Sequence, residues 1–228
     1  MNVAAGERKA LLIDAMGTLV ALSPPAPRLS RELERRCGVS VSRSEAELAL
    51  TAEIAYYRAH MQDGHDPPGV AALRRRCAET LRRALPAAAA DLNLDVLTEV
   101  LLASLHFEPF PDARPALEQA RSRGQQVIVL SNWDVTLPEV LARVGLREFV
   151  DGVVSSAAAG ARKPDPAVFA RALELAGVRP AQALHVGDSL EEDVAGGRAS
   201  GIPVLWLNRA AASVPPGVTA IASLAELN

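Results

Sequence analysis

From Asp112 onward the chain alternates between short apolar runs and longer segments in which apolar residues recur at helical spacing. The short runs show no apolar–polar alternation, which is typical of strands buried on both faces. Repeated strand–helix alternation predicts an α/β core, a Rossmann-like parallel sheet covered by helices. The predicted strands are 10–13, 126–130, 153–155, 183–186 and 203–207, and the predicted helices are 114–123, 137–144, 166–176 and 190–199.

Residues 22–108 have a different character. Apolar periodicity there predicts helices only, over 28–37, 44–61, 69–85 and 95–105, and no run reads convincingly as a strand. Proline-rich segments lie near both ends of this stretch and are typical of stiff connectors. We therefore expect residues 1–21 and 109–228 to form the catalytic core, and residues 22–108 to form an inserted all-helical domain.

Polar side chains follow three of the predicted strands. Asp14 comes directly after the run 10–13, Ser131 after the second run, and Asp188 after the run 183–186. In open parallel sheets, functional groups collect beyond the carboxyl ends of the strands. These three side chains are therefore expected to converge on one site although they lie far apart in sequence.

Four segments in a fixed order extend this pattern over nearly the whole chain. They read Asp-Ala-Met-Gly-Thr at 14–18, Ser-Asn at 131–132, Arg-Lys-Pro at 162–164 and Gly-Asp at 187–188. Together they resemble the four sequence motifs of the haloacid dehalogenase superfamily. The resemblance implies a Rossmann-like hydrolase core with a helical cap inserted between the first two motifs.

The resemblance also implies roles for individual residues. Asp14 corresponds to the family's nucleophile, Ser131 to its phosphate-binding hydroxyl, and Lys163 to the cation that steadies the nucleophile and the transferring group. Lys163 is one of only two lysines in the chain, so its position within this motif favours a functional role over a surface charge. Further phosphate contacts are expected from residues beside these motifs, namely Gly17, Thr18 and Asn132. For Thr18, a purely structural role in the turn is an equal alternative.

The family's magnesium site would use Asp14, Asp188 and the backbone carbonyl of Met16. Carboxylate and carbonyl oxygens are the ligands that Mg²⁺ prefers. Asp193 follows five residues after Asp188. It either supports the metal site from outside the ligand set or simply favours the N-terminus of the next helix, where an acidic residue is stabilising.

Met16 is a departure from the family pattern. Phosphatases of the family carry a second aspartate there, which protonates the leaving group and then activates water. General acid–base help of this kind is worth roughly 10²- to 10⁴-fold in rate. Asp134 is the nearest spare carboxylate by motif, although it could equally cap the helix that follows it.

Three functions stay open. The first is a magnesium-dependent phosphatase that acts on a small phosphorylated metabolite, either slowly or on a good leaving group. The second is a 2-haloacid dehalogenase, which needs no acid, although Asp188 and Asp193 argue against that branch. The third is a catalytically impaired binding or scaffold protein. Phosphonate cleavage is excluded because that branch uses a cap lysine, and residues 22–108 contain none.

Composition and charge limit the classes of partner that the protein is expected to bind. The 228 residues carry a formal net charge of −3 and 49% hydrophobic residues, as in ordinary globular proteins. We expect no nucleic-acid or membrane partner, because there is no basic excess and every apolar run is shorter than the roughly 20 residues of a membrane span. No signal peptide is visible, which predicts a cytoplasmic protein. The expected oligomeric state is a monomer or a homodimer.

Overall fold

A six-stranded parallel sheet forms the core of the structure, a computed structural model that describes residues 8–227. The strand order is β5-β4-β1-β6-β7-β8. The order places the first strand of the chain at the centre of the sheet. The strands are β1 Ala10–Ile13, β4 Gln126–Ser131, β5 Gly152–Ser155, β6 Ala183–Gly187, β7 Val204–Leu207 and β8 Ala220–Ile221.

The register of the three central strands brings their carboxyl ends to one edge. Ile13 of β1 pairs with Val129 of β4 on one side and with Val186 of β6 on the other. Both pairs are parallel, so the residues that follow each strand emerge at the same edge. Asp14 is the first residue beyond β1 and lies between the two neighbouring strand ends.

Helices return the chain between these strands. They are α5 Ala113–Ser122, α6 Leu137–Arg143, α7 Ser156–Ala159, α8 Pro166–Ala176 and α9 Gly196–Ala199, the last preceded by a π-helical segment Leu190–Ala195. The apolar face of α8 packs on the sheet, with Phe169 and Val168 in one buried cluster with Leu12, Ile128 and Leu130. Burial on both faces accounts for the uninterrupted apolar runs of the central strands. The expected α/β parallel core is confirmed.

A second compact unit spans Leu22–Glu108, and the first lies within Met1–Ala21 and Pro109–Asn228. The second unit contains α1 Ala26–Cys37, α2 Arg43–His60, α3 Pro67–Ala84 and α4 Leu94–Ser104. Its own buried cluster includes Leu29, Leu33, Leu73, Leu81 and Leu97. A capping box of Ser42 and Glu45 starts α2. Each unit therefore has an apolar core of its own.

The expectation that residues 22–108 hold no strand is wrong at both ends. Strands β2 Val20–Leu22 and β3 Phe107–Pro109 form a two-stranded sheet where the chain enters and leaves the second unit. Three residues are too few to show a period, and the proline in β3 argues against a strand by composition. The helix expected over 190–199 also differs, because its first part is π-helical.

The long, strongly periodic elements match their predicted bounds to within about two residues. Strand β8 and the short helix α7 were missed because neither is long enough to show a period. Among the helices of residues 8–227, none combines the length and the apolar character needed to cross a membrane.

Candidate active site

Asp14 occupies the centre of the candidate site. Its backbone amide donates a hydrogen bond of 2.9 Å to the carbonyl of Val186 at the end of β6. Its side chain is buried, and Oδ1 accepts hydrogen bonds from Ser131 Oγ at 2.9 Å and from Lys163 Nζ at 2.6 Å. Burial raises the pKa of Asp14, whereas Lys163 lowers it and the charge of Asp193 raises it further. Both predicted partners of Asp14, Ser131 and Lys163, thus contact it directly.

Lys163 is fully buried and bridges two carboxylates. Its Nζ lies 2.6 Å from Asp14 Oδ1 and 2.6 Å from Asp193 Oδ1. Burial alone would lower the pKa of Lys163, but the charges and hydrogen bonds of the two carboxylates hold it above its ordinary value. Lys163 is therefore a fixed positive charge beside Asp14.

Asn132 holds the backbone of Lys163. Its Oδ1 accepts from the Lys163 amide at 2.8 Å, and its Nδ2 donates to the Lys163 carbonyl at 3.1 Å. The sequence led us to expect Asn132 among the phosphate contacts. In the structure its side-chain amide instead fixes the segment that carries the lysine.

Asp188 reaches the site across a glycine. It is the first residue beyond β6, and its carbonyl accepts a hydrogen bond of 2.8 Å from Trp206 Nε1. A Cβ placed on Gly17 would lie 2.1 Å from Asp188 Oδ2, so only a glycine admits this carboxylate. Gly17 also has φ +79°, which side chains rarely adopt. Two separate requirements therefore explain the glycine of the first motif.

Asp193 belongs to the site itself. It is buried, and besides Lys163 its Oδ1 contacts His185 Nε2 at 2.9 Å, while Oδ2 accepts from the Ser189 amide at 3.0 Å. A Cβ on Gly187 would lie 2.1 Å from the Asp193 carboxyl carbon, which explains the glycine before Asp188. Asp193 was expected either to support the metal site or to stabilise a helix start. The structure makes it a direct partner of Lys163.

Sequence reasoning missed His185. The residue lies inside β6 and is completely buried. No motif or spacing marks it, and the only available signal was a polar side chain within an otherwise apolar run.

Thr18 does not present its hydroxyl to solvent. The residue is fully buried, and its Oγ1 has no hydrogen-bond partner among the described residues. Its carbonyl accepts a hydrogen bond of 2.9 Å from Arg209 Nη2, and that guanidinium also binds Asp112. These contacts favour the structural role in the turn over a phosphate contact.

Two positions bear on how the leaving group could receive a proton: Met16, where the family's acid is missing, and Asp134, the nearest spare carboxylate by motif. Met16 is half-buried and forms an isolated bridge with Val20 in the turn after β1, and its thioether has no proton to donate. Asp134 is buried, and its Oδ1 accepts from both the amide and the hydroxyl of Thr136, at 2.8 and 2.6 Å. Asp134 therefore stabilises the turn that leads into α6.

Three carboxylates and one lysine give the site an excess of negative charge. Oxygen atoms of Asp14, Asp188 and Asp193 all lie within 4.8 Å of one another. The carboxylate of Asp188 is reached by solvent but lies against buried groups. Loss of hydration, followed by repulsion from Asp14 and Asp193, raises the pKa of Asp188 to about 7.

This donor set fits a divalent cation. Lys163 Nζ donates hydrogen bonds to Oδ1 of both Asp14 and Asp193. The carboxylate of Asp188 lies beside these two and against Gly17. Hard oxygen donors with one or two carboxylates suit Mg²⁺. Loss of hydration and repulsion from neighbouring carboxylates raise the pKa of Asp188, so a bound cation would stabilise its ionised form.

The chain is similar in sequence and fold to known proteins. The family model described as haloacid dehalogenase-like hydrolase matches residues 8–201. Haloacid dehalogenase-like hydrolase domain-containing protein 3 of Mus musculus is 32% identical over 86% of this chain and 80% of its own length. For the protein of the same name from Bos taurus, the match is 48% identical and covers 40% of this chain but only 36% of that protein.

Two further matches concern phosphatases. Phosphoserine phosphatase of Thermus thermophilus is 31% identical over 88% of this chain and 89% of its own length. The crystal structure of a HAD phosphatase from Thermococcus onnurineus superposes with a TM-score of 0.66 at 28% identity, covering 96% of this chain and 95% of that one. The family that the motifs predicted is confirmed: the chain belongs to the haloacid dehalogenase-like hydrolases.

Proposed function

We propose that this hydrolase is a magnesium-dependent phosphatase that acts on a small phosphorylated metabolite through a covalent intermediate on Asp14. The observation that carries the proposal is the group of three carboxylates that surrounds a single buried lysine. A phosphate group is itself an anion, so such a site can accept it only together with additional positive charge. The names of relatives similar to this chain over most of its length support a phosphatase.

Asp14 is the nucleophile in this proposal. Its carboxylate attacks phosphorus, an Asp14–phosphorus bond through oxygen forms, and the bond to the leaving group breaks with its electron pair on the leaving oxygen. Water then cleaves the acyl phosphate and releases inorganic phosphate. Ser131 and Lys163 both bind Oδ1, so they fix the rotation of the carboxylate before attack.

Magnesium would be held by Asp14 and Asp188, with the Met16 carbonyl as a further oxygen donor. When bound, the ion would neutralise charge on the transferring phosphoryl group. Lys163 contributes a second positive charge beside Asp14, because its Nζ contacts Oδ1. Gly17 and Thr18, two other predicted phosphate contacts, donate their backbone amides to the carbonyls of Val20 and Ala15, so they shape the turn after β1.

The leaving group receives no proton from the first motif. Met16 has no acidic proton, and Asp134 accepts two hydrogen bonds from Thr136. The proposal therefore favours substrates whose leaving group is stable as an anion, such as acyl phosphates, over simple alkyl phosphates. Dehalogenation needs no such acid either, but it needs no metal, so it offers no use for the carboxylate of Asp188.

Phosphate release from acetyl phosphate and p-nitrophenyl phosphate, with and without Mg²⁺, tests the proposal. We expect release that requires Mg²⁺ and is abolished by Asp14→Asn but not by Asp91→Asn, which changes an exposed aspartate of the second unit. Metal-independent halide release from 2-chloropropionate would establish the dehalogenase instead. Mg²⁺ binding with no turnover of either substrate class would establish the impaired binding protein.

A further inference from the structure

His185 contacts the cluster of charged side chains through Asp193. Its Nε2 lies 2.9 Å from Asp193 Oδ1, the same oxygen that accepts from Lys163 Nζ at 2.6 Å. The ring is completely buried and stands edge-on to Phe169, with the ring centroids 5.2 Å apart. Three buried hydrogen bonds thus connect His185 through Asp193 and Lys163 to the carboxylate of Asp14.

The contacts of the ring assign its tautomer. Burial acts to raise the pKa of Asp193, but Lys163 and the hydrogen bond from His185 hold it below its ordinary value, so Asp193 is ionised. An ionised carboxylate only accepts, so His185 Nε2 must carry the proton. Its Nδ1 is buried and has no hydrogen-bond partner among the described residues. Nε2 is therefore the ring nitrogen through which His185 donates to the cluster.

We propose that His185 is a positioning residue: its Nε2–H orients the carboxylate of Asp193 and thereby keeps the ammonium of Lys163 against Asp14. The expected effect of His185 on turnover rests on the proposed function, whereas its effect on the position of Lys163 does not. Two donors, His185 and Lys163, share Oδ1 of Asp193, while the Ser189 amide binds Oδ2. Without the histidine, Oδ1 loses a donor and the carboxylate is free to turn or to draw Lys163 towards itself.

Two substitutions separate positioning from packing. His185→Gln keeps an N–H donor that can reach Asp193, whereas His185→Leu has similar bulk and no donor. We expect His185→Leu to lower kcat about 10- to 100-fold with little change in KM, the range found for residues that orient a catalytic group. His185→Gln should retain most of the turnover. Equal losses of kcat in the two variants would overturn the proposal.

A measurement that needs no turnover uses the scarcity of lysine. Labelling lysine with ¹⁵N at Nζ gives signals from two residues only, buried Lys163 and exposed Lys9, so Lys9 is an internal control. We expect the Lys163 signal to shift in His185→Leu, to stay near its wild-type position in His185→Gln, and the Lys9 signal to stay constant. An unchanged Lys163 signal in His185→Leu would contradict the positioning role even if the enzyme is inactive on every phosphate ester.

The wild-type protein gives a further test that does not depend on either variant folding. Imidazole ¹⁵N signals should show His185 with a protonated Nε2. An unprotonated Nε2 would overturn the proposal. Failure of the proposed phosphatase activity would leave both spectroscopic outcomes unaffected, so the two proposals can fail separately.

Discussion

Lys163 Nζ lies 2.6 Å from Asp14 Oδ1, although 149 residues separate the two in sequence. The pair forms because β1 ends beside β4 and β6, and because Asn132 binds the backbone on both sides of the lysine. The contact joins the predicted nucleophile to a fixed positive charge. Several consequences of this arrangement can be measured.

Removing the lysine charge should affect both rate and stability. We expect Lys163→Met to lower kcat about 10²- to 10³-fold, as for loss of one preorganised donor. It should also reduce the free energy of unfolding by about 3 to 5 kcal/mol, because two buried carboxylates lose their counter-ion. Lys9→Met is the matched control, since Lys9 is exposed. An active and equally stable Lys163→Met variant would show that the buried cation is dispensable.

Gly17→Ala should impair metal binding in particular. The added Cβ would lie 2.1 Å from Asp188 Oδ2 and displace that carboxylate. Gly124 has a similar φ, +73°, but a Cβ there meets no atom within 4 Å. Both alanine variants should therefore lose about 1 to 2 kcal/mol of stability through backbone strain.

Titration calorimetry with Mg²⁺ separates the two glycine variants. We expect Gly17→Ala to bind Mg²⁺ at least about tenfold more weakly, a difference of about 1.4 kcal/mol. Gly124→Ala should bind like the wild type. Equal affinities in the two variants would place the metal away from Asp188.

The missing acid should appear in the dependence of rate on the leaving group. Across a series of aryl phosphates, wild-type kcat/KM should fall steeply as the leaving-group pKa rises. Met16→Asp should flatten this dependence and speed up the poorest leaving groups by as much as roughly 10²- to 10⁴-fold. Asp134→Asn, which can still accept from Thr136, should leave the dependence unchanged. A flat wild-type plot would mean that another group donates the proton.

The lowered pKa of Asp112 predicts how the free energy of unfolding depends on pH. Burial acts to raise its pKa, but hydrogen bonds from Arg209, Ser223 and the Leu224 amide lower it to about 2. A depressed carboxyl pKa stabilises the folded state above the unfolded value of about 3.9, and this contribution disappears as the pH falls towards 2. Asp112→Asn should thus cost about 1 to 2 kcal/mol at pH 7 and little near pH 2.

Urea unfolding at several pH values measures this difference. Glu118→Gln is a suitable control, because its ion pair with Arg114 is exposed to solvent and contributes little to stability. A constant difference between wild type and Asp112→Asn from pH 7 to pH 2 would show that the charge of Asp112 is not what stabilises the fold.

The sequence was sufficient for the parts of the molecule that repeat a pattern. Buried strands and amphipathic helices are long enough to show their period, and the motifs that follow strand ends predicted the residues that the structure brings around Asp14. Spacing alone could not predict side chains whose role depends on three-dimensional contacts. Asn132, Asp193 and His185 all act through Lys163, and that relation exists only once β4, β6 and the segment before α8 are assembled.

Trapping the covalent intermediate tests directly whether Asp14 is the nucleophile. Wild-type protein that is turning over acetyl phosphate with Mg²⁺ is quenched with borohydride, which reduces an aspartyl phosphate to homoserine, and is then digested with trypsin. Asp14 is the only carboxylate in the tryptic peptide 10–28. We predict homoserine at position 14 that requires both substrate and Mg²⁺. Phosphate release without any modification of that peptide would show that Asp14 is not the nucleophile.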